Sequence, residues 1–255
     1  DAAFPGEPKP IFRPRKRLGA MTFAPRIITP SEAHLPMAKL DANDDLSPVR
    51  ELVTGRRAQP TGVFFSIKNQ RAVKHESRGE KLAMVFAEFD CDVECYFPQP
   101  FKLTWISDRQ YDYTPDRLDF VGDHWIAVEV KRDRRFENDE QYQRKLELAE
   151  AILASDGIGF KIETRAELEA DPRLTAVEAV RYAAARTLPE PLKRRAINLL
   201  RKQEIITLGE LEEQLGGGPL ARSIACGLVP RRIAQFDLTK PLSSSTSVCV
   251  GPAVR

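Results

Sequence analysis

Residues Tyr113 to Lys131 read YTPDRLDFVGDHWIAVEVK, and the fold turns on how this stretch pairs with itself. Two alternating apolar runs flank Gly122-Asp123, a dipeptide suited to a two-residue type II′ turn. With that turn, Val121 faces His124, Phe120 faces Trp125, Leu118 faces Ala127 and Asp116 faces Glu129. Strand side chains alternate, so Asp116, Leu118 and Phe120 share one side with Trp125, Ala127, Glu129 and Lys131. This side is mostly apolar and is predicted to be buried. A one-residue slip in register would turn the whole set over.

Two carboxylates directly opposite on such a face have Cβ atoms about 5 Å apart and repel. Leaving them unpaired in an apolar setting costs still more. Positive charge has to compensate. Lys131 supplies one charge. A divalent metal would supply the rest, because hard cations such as Mg²⁺ take carboxylate oxygens. The same residues also suit a structural ion pair, Lys131 with Glu129 or Asp116, on a partly wet sheet edge.

The chain has 255 residues, 42% hydrophobic and 30% charged, a balance ordinary for soluble globular proteins. That length allows one large domain or two smaller ones. No apolar run approaches the ~20 residues of a membrane span. The start, DAAFPGEPKPIFRPRKRLGAM, is proline-rich and basic and is not signal-like. The four cysteines show no disulfide framework, and Cys91 and Cys95 form a lone CxxxC. A reducing, cytoplasmic setting is expected. Net charge is only +2, but the positive charge is clustered: Lys9, Arg13, Arg15, Lys16 and Arg17; KRDRR at 131–135; and Lys193, Arg194, Arg195, Arg201 and Lys202 on one predicted helix. Such clusters suit a local nucleic-acid footprint, or, taken singly, solvated helix faces.

Residues 1–58, rich in Pro, Asp and Arg, are predicted to be an extended arm with short local structure. VFFSIKNQRAVKHE (63–76) holds one or two strands near a basic loop. SRGEKLAMVFAEFD (77–90) reads as a helix, with Ser77…Glu80 as a capping box. VECYFPQPFKLTW (93–105) suits two strands bent at Pro98 and Pro100. After the hairpin come a long polar helix ending near Gly157, a strand at 158–164 and a helix opened by a Thr164…Glu167 capping box. A mixed α/β unit over 59–170 follows from this order. Residues 171–255 change character. Thr175…Glu178 and Thr207…Glu210 are further capping boxes, helices are predicted at 188–204, 206–217 and from 219, and a β-like segment closes the chain. Three helices with terminal β structure suit a winged-helix-like domain, or a helical oligomerisation domain.

These residues resemble a known family. EVK at 129–131 matches the E-x-K element of the PD-(D/E)xK nuclease superfamily, and Pro115-Asp116 matches its PD element. ESRGEKLAMVFAEFDCDVECYFPQPF, YTPDRLDF, VEVK and RIAQFDLTKPLSSSTSV, in that order, are similar to the TnsA-type endonuclease subunit of heteromeric transposases over about residues 60–250. The resemblance implies a restriction-endonuclease-like mixed sheet flanked by helices. It implies a bacterial, Mg²⁺-dependent DNA endonuclease, with one or two Mg²⁺ or Mn²⁺ ions, that cuts the 5′ ends of a transposon. Its partners would be transposon-end DNA, an RNase H-like transposase subunit and an ATPase regulator, with no membrane. The active site would be Glu80, Asp116, Glu129 and Lys131, with the Val130 carbonyl completing the metal shell. Without the resemblance, Glu80 reads as a helix cap. Lys68, Arg71, Lys74 and Arg78 are placed to touch phosphates without sequence preference. Two alternatives stand beside this reading: an autonomous restriction- or repair-type endonuclease of the same superfamily, and a non-catalytic transposition adaptor.

Overall fold

The hairpin forms in the expected register. Strands Arg117–Val121 and His124–Lys131 pair antiparallel with Val121 opposite His124, Phe120 opposite Trp125 and Leu118 opposite Ala127. Gly122 has φ +60 while Asp123 keeps a negative φ, so the turn is of the II′ kind. The computed structural model describes residues 23–49 and 62–255. The basic cluster from Lys9 to Arg17 lies outside the described residues.

Chain order before the hairpin is β1 (Arg26–Ile28), β2 (Ala38–Ala42), β3 (Gly62–Ser66), β4 (Arg71–His75), α1 (Arg78–Phe89), β5 (Val93–Pro98), β6 (Phe101–Ile106) and β7 (Gln110–Tyr113). The hairpin strands are β8 and β9. Then come a 3-10 turn (Arg134–Asn138), α2 (Glu140–Ser155), β10 (Ile158–Thr164), α3 (Arg165–Ala170) and α4 (Leu174–Ala183). The last part holds α5 (Glu190–Lys202), β11 (Ile205–Thr207), α6 (Leu208–Gln214), α7 (Gly218–Leu228), β12 (Ala234–Phe236) and β13 (Ser247–Val250). The fold is mixed α/β, with open sheets and seven α-helices among the described residues. None of these helices is long and apolar enough to cross a membrane.

The central sheet has the order β10-β9-β8-β5, with β10 parallel to β9 and the other pairs antiparallel. Its two faces follow from the alternation. Leu118, Phe120, Trp125 and Ala127 pack with Leu146, Ala149, Ile152 and Leu153 of α2, and with Leu40, Phe101, Leu103 and Trp105 of a second sheet ordered β1-β2-β6-β7. Helix α1 covers the opposite face: a Cβ on Gly79 would stand 3.3 Å from Val130 Cγ1 and 3.2 Å from Arg165 Cβ, so a glycine permits this close approach.

A second core joins α4 to α7 and β11 to β13, and it takes in Val85 and Phe89 of α1 with Cys91 just after it. The C-terminal strands order as β11-β13-β12, so residues 190–250 run helix, strand, helix, helix, strand, strand. Polar links tie this region to the first: Cys91 Sγ donates to the Ala234 carbonyl at 3.3 Å, and Arg232 donates to the Cys91 carbonyl at 2.8 Å and pairs with Glu94 at 3.1 Å.

Three expectations change. The part of the predicted arm that is described, 23–49, supplies β1 and β2, with Phe23, Ile28, Leu40 and Leu46 in the core. The Thr175…Glu178 box does not form: α4 starts at Leu174 after Arg173, which makes no side-chain cap, and Glu178 pairs instead with Arg181. The predicted helix at 206–217 is shorter, because Ile205–Thr207 pairs with β13 before α6 begins at a true Thr207–Glu210 capping box.

Leu40 is fully buried between β1 and β6, opposite Arg26 and Leu103. Leu40→Ala is therefore expected to cost about 2–5 kcal/mol, read as a lowered midpoint in urea unfolding. A loss under about 0.5 kcal/mol would show that β2 is not part of the cooperative core.

Candidate active site

Strand β9 is flanked on both sides, by β8 and β10, and this buries what it carries. Glu129 is only 4% exposed. It shares its face with Lys131, and α2 closes over that face, bringing Tyr142 from its first turn. The Tyr142 hydroxyl donates to Glu129 Oε1 at 2.8 Å. Lys131 Nζ meets the same oxygen at 2.5 Å and lies 4.6 Å from the centre of the Tyr142 ring, a cation–π contact. Glu129 Oε2, by contrast, is buried with no hydrogen-bond partner.

Asp116 reaches the same place by a different route. Continuing the β8–β9 register would put Val130 opposite Pro115. Proline has no N–H to give to a ladder, and the pairing stops at Arg117. The Asp116 carboxylate takes over: its Oδ2 accepts from the Val130 N–H at 2.7 Å. The Pro-Asp pair thus ends a strand and turns an acid toward its neighbour.

Glu80 comes from the N-terminus of α1. Ser77 caps the helix, its hydroxyl accepting from the Glu80 N–H at 3.1 Å. The capping box is only half made, because the Glu80 side chain accepts from the Glu76 N–H at 2.8 Å and not from Ser77. An acid in the first turn also suits the helix dipole.

The charges of these three acids act on one another. Burial pushes the Asp116 carboxyl far above the usual carboxylate range, and the charges of Glu129 and Glu80 push it further. Burial raises Glu80 too, with Glu129 adding to the effect. Burial alone would lower Lys131, but Glu129 and Tyr142 outweigh it and hold the ammonium above its ordinary pKa. Lys131 is charged at neutral pH. Tyr113, also buried, has a hydroxyl without a hydrogen-bond partner, and its pKa is raised by burial and by the nearby Glu129 and Asp116 charges.

The residue types suit a divalent cation: Asp116, Glu129 and Glu80 are buried or partly buried acids whose charges act on one another, and Glu129 Oε2 has no hydrogen-bond partner. The side chains as they stand point to other partners. Among the described residues, no three His, Cys, Asp or Glu side chains converge on one point. Glu129 faces Lys131 and Tyr142, Asp116 faces the Val130 N–H, and Glu80 faces the Glu76 N–H. A cation would have to be held by Asp116, Glu129 and the Val130 carbonyl, with Glu80 turned away from Glu76.

The expected phosphate-contact residues divide. Lys68 is folded inward, its ammonium on the carbonyls of Ala87, Asp90 and Val93 at 2.8, 2.6 and 2.6 Å. Burial pulls its pKa down to about 8. Lys68 caps the C-terminal end of α1 and is not placed to touch DNA. Arg71 is half-buried over the Phe97 ring, 5.0 Å from its centre. Lys74 and Arg78 are exposed, Arg78 pairing with Glu169 at 2.9 Å. Tyr142 and Tyr113 were not anticipated from sequence. The local signal for Tyr142 is its place in the first turn of α2, just after the Asp139 helix cap.

The raised Asp116 pKa has a sign. The folded state holds this proton more tightly than the unfolded state, so the stabilising contribution is full below about pH 4 and is lost as pH rises through the folded pKa. Asp116→Asn removes a carboxyl whose ionisation the fold disfavours. Its melting temperature in chelator is expected to exceed wild type at pH 7, by about 2–4 °C for each ~1 kcal/mol relieved. The gain should shrink as pH approaches 4; a gain that is constant with pH would contradict the buried, raised Asp116 carboxyl. No protein-family model matches the chain, and no curated protein matches it significantly.

Proposed function

We propose that the chain is a metal-dependent DNA endonuclease of the PD-(D/E)xK type, acting as the 5′-end-cleaving subunit of a heteromeric transposase. The observation that supports the reading is the hairpin end that carries Asp116 on the Val130 N–H and Lys131 on Glu129, with Glu80 in the first turn of α1, which packs on β9 at Val130. The central β10-β9-β8-β5 sheet, with α2 on one face and α1 on the other, suits a restriction-endonuclease-like layout. The order helix, strand, helix, helix, strand, strand over 190–250 suits a winged-helix domain.

When bound, Mg²⁺ or Mn²⁺ would lower the pKa of a water and polarise a phosphoryl oxygen. Asp116, Glu129 and the Val130 carbonyl would hold one ion, and Glu80 would help to hold a second. Lys131 offsets charge that builds on the phosphate oxygens in the transition state. Tyr142 fixes the orientation of Glu129 through its hydrogen bond. Lys74 and Arg78 add affinity for the DNA backbone without reading sequence. The transposon-end sequence would then be read by the RNase H-like partner, with an ATPase regulator coupling both to the target. The C-terminal domain serves mainly to dock protein.

The closed set of Glu129, Lys131 and Tyr142 also favours a second reading, a structural ion pair in a non-catalytic adaptor. Cleavage of transposon-end DNA in Mg²⁺ or Mn²⁺, with and without the partner transposase, separates the two. Wild type is expected to cut the 5′ strand in the presence of the partner. Lys131→Ala should slow cutting by about 10²–10³-fold, and Glu129→Ala should abolish it. No cutting by wild type beside an active partner makes the protein an adaptor. Cutting without the partner makes it an autonomous nuclease.

A further inference from the structure

Helix α5 concentrates positive charge that the fold uses little. Over Glu190–Lys202 it carries Lys193, Arg194, Arg195, Arg201 and Lys202 against a single acid, Glu190. Arg194, Arg195, Arg201 and Lys202 are all exposed, as is Asn198 between them. At 3.6 residues per turn these five positions fall within an arc of about 120°, opposite the buried Ala196 and Leu200. Arg194 pairs with Glu190 at 3.2 Å, and Arg201 gives its Nε hydrogen to the Val254 carbonyl at 3.0 Å. Arg195 and Lys202 have no side-chain partner among the described residues. The pairs Arg194/Arg195 and Arg201/Lys202 stand seven residues apart, about 10 Å along the helix.

The neighbouring helices offer no such face. Helix α7 buries Ala221 and Ile224 through Leu228, and its one cation, Arg222, is half-buried and paired with Glu212. Helix α6 has Glu210, Glu212 and Glu213 and no basic residue. On α4, Arg181 is paired with Glu178 at 2.6 Å.

We propose that the exposed face of α5 binds the phosphate backbone of duplex DNA and reads no sequence. Guanidinium forks match phosphate oxygens bidentately. Two pairs of cations on one face can span several phosphates, which recur about every 3.4 Å of rise on each strand. DNA backbone contact then comes from α5, which opens the helix-strand order over 190–250, while α7 remains committed to the core. The proposal rests on the reading of the chain as DNA-acting, but it requires neither a metal nor the acidic site.

The test is fluorescence-anisotropy titration of a random duplex of about 30 base pairs in chelator, from about 50 to 200 mM salt. Wild type is compared with a triple Arg194→Gln, Arg195→Gln, Lys202→Gln variant, and with Lys240→Gln, an exposed cation elsewhere in the same region. Circular dichroism melts establish that all three are folded. The triple variant should bind at least about tenfold more weakly at the lowest salt, and its log–log salt slope should be shallower by about 2.7, at about 0.9 for each phosphate no longer neutralised. Lys240→Gln should bind as wild type. An unchanged slope in the triple variant overturns the proposal. So does an equal weakening in Lys240→Gln, or at least tenfold tighter wild-type binding to duplex RNA. Cleavage is scored separately: α5-dependent binding without cleavage overturns the nuclease reading alone, and cleavage with unchanged binding overturns the α5 surface alone.

Discussion

The structure depends on helix α1 being buried on almost every side. Gly79, Leu82, Ala83, Met84, Val85, Ala87, Glu88 and Phe89 all lose solvent, from twelve residues in all. A helix so enclosed cannot leave its ends to water. Ser77 and the Glu80 backbone satisfy the start, while at the other end Lys68 gathers the Ala87 carbonyl together with those of Asp90 and Val93. Even its buried acid is accounted for: Glu88 takes hydrogen bonds from the Ser66 hydroxyl, the Tyr96 hydroxyl and the Lys68 N–H. The β3–β4 hairpin is held by these bonds, by Asn69 on the Tyr96 backbone, and by Val73 packing on Met84, Ala87 and Tyr96.

From that position α1 sets two distances. Its first turn presses on β9, with Gly79 against Val130, and this brings Glu80 to the acids of the hairpin. Its last turn enters the second core with Val85 and Phe89. On the other side of the sheet, α2 brings Tyr142 onto Glu129 and Lys131. The acidic cluster is therefore assembled at one end of a sheet by two helices that approach from opposite faces, and neither strand nor helix alone would make it.

The hairpin is legible because two independent signals agree: a Gly-Asp turn and the alternation of the runs on either side of it. Helix α1 and the strands that follow it were legible for similar local reasons, and Thr164 and Thr207 cap helices as their spacing suggests. What was hidden depends on distant partners. Strands β1 and β2 are three and five residues long, set among prolines, and what makes them strands is their pairing with each other and that of β2 with the distant β6. Thr175 and Glu178 have the spacing of a cap, but the helix starts two residues earlier, with Arg173 in the cap position, and the competing Arg181 pair takes the acid. Lys68 reads as a loop cation until three carbonyls from another part of the chain surround it. The partnership of Tyr142 with Glu129 crosses from helix to strand, and no short-range pattern encodes it.

Because Val85, Phe89 and Cys91 belong to the same core as α4–α7, the two halves of the chain are mechanically continuous. The Cys91 thiol and carbonyl, tied to Ala234 and Arg232, act as a rivet at the far end of α1. Loosening the C-terminal core would therefore also strip packing from the last turn of α1, so neither half of the chain can be expected to melt without the other.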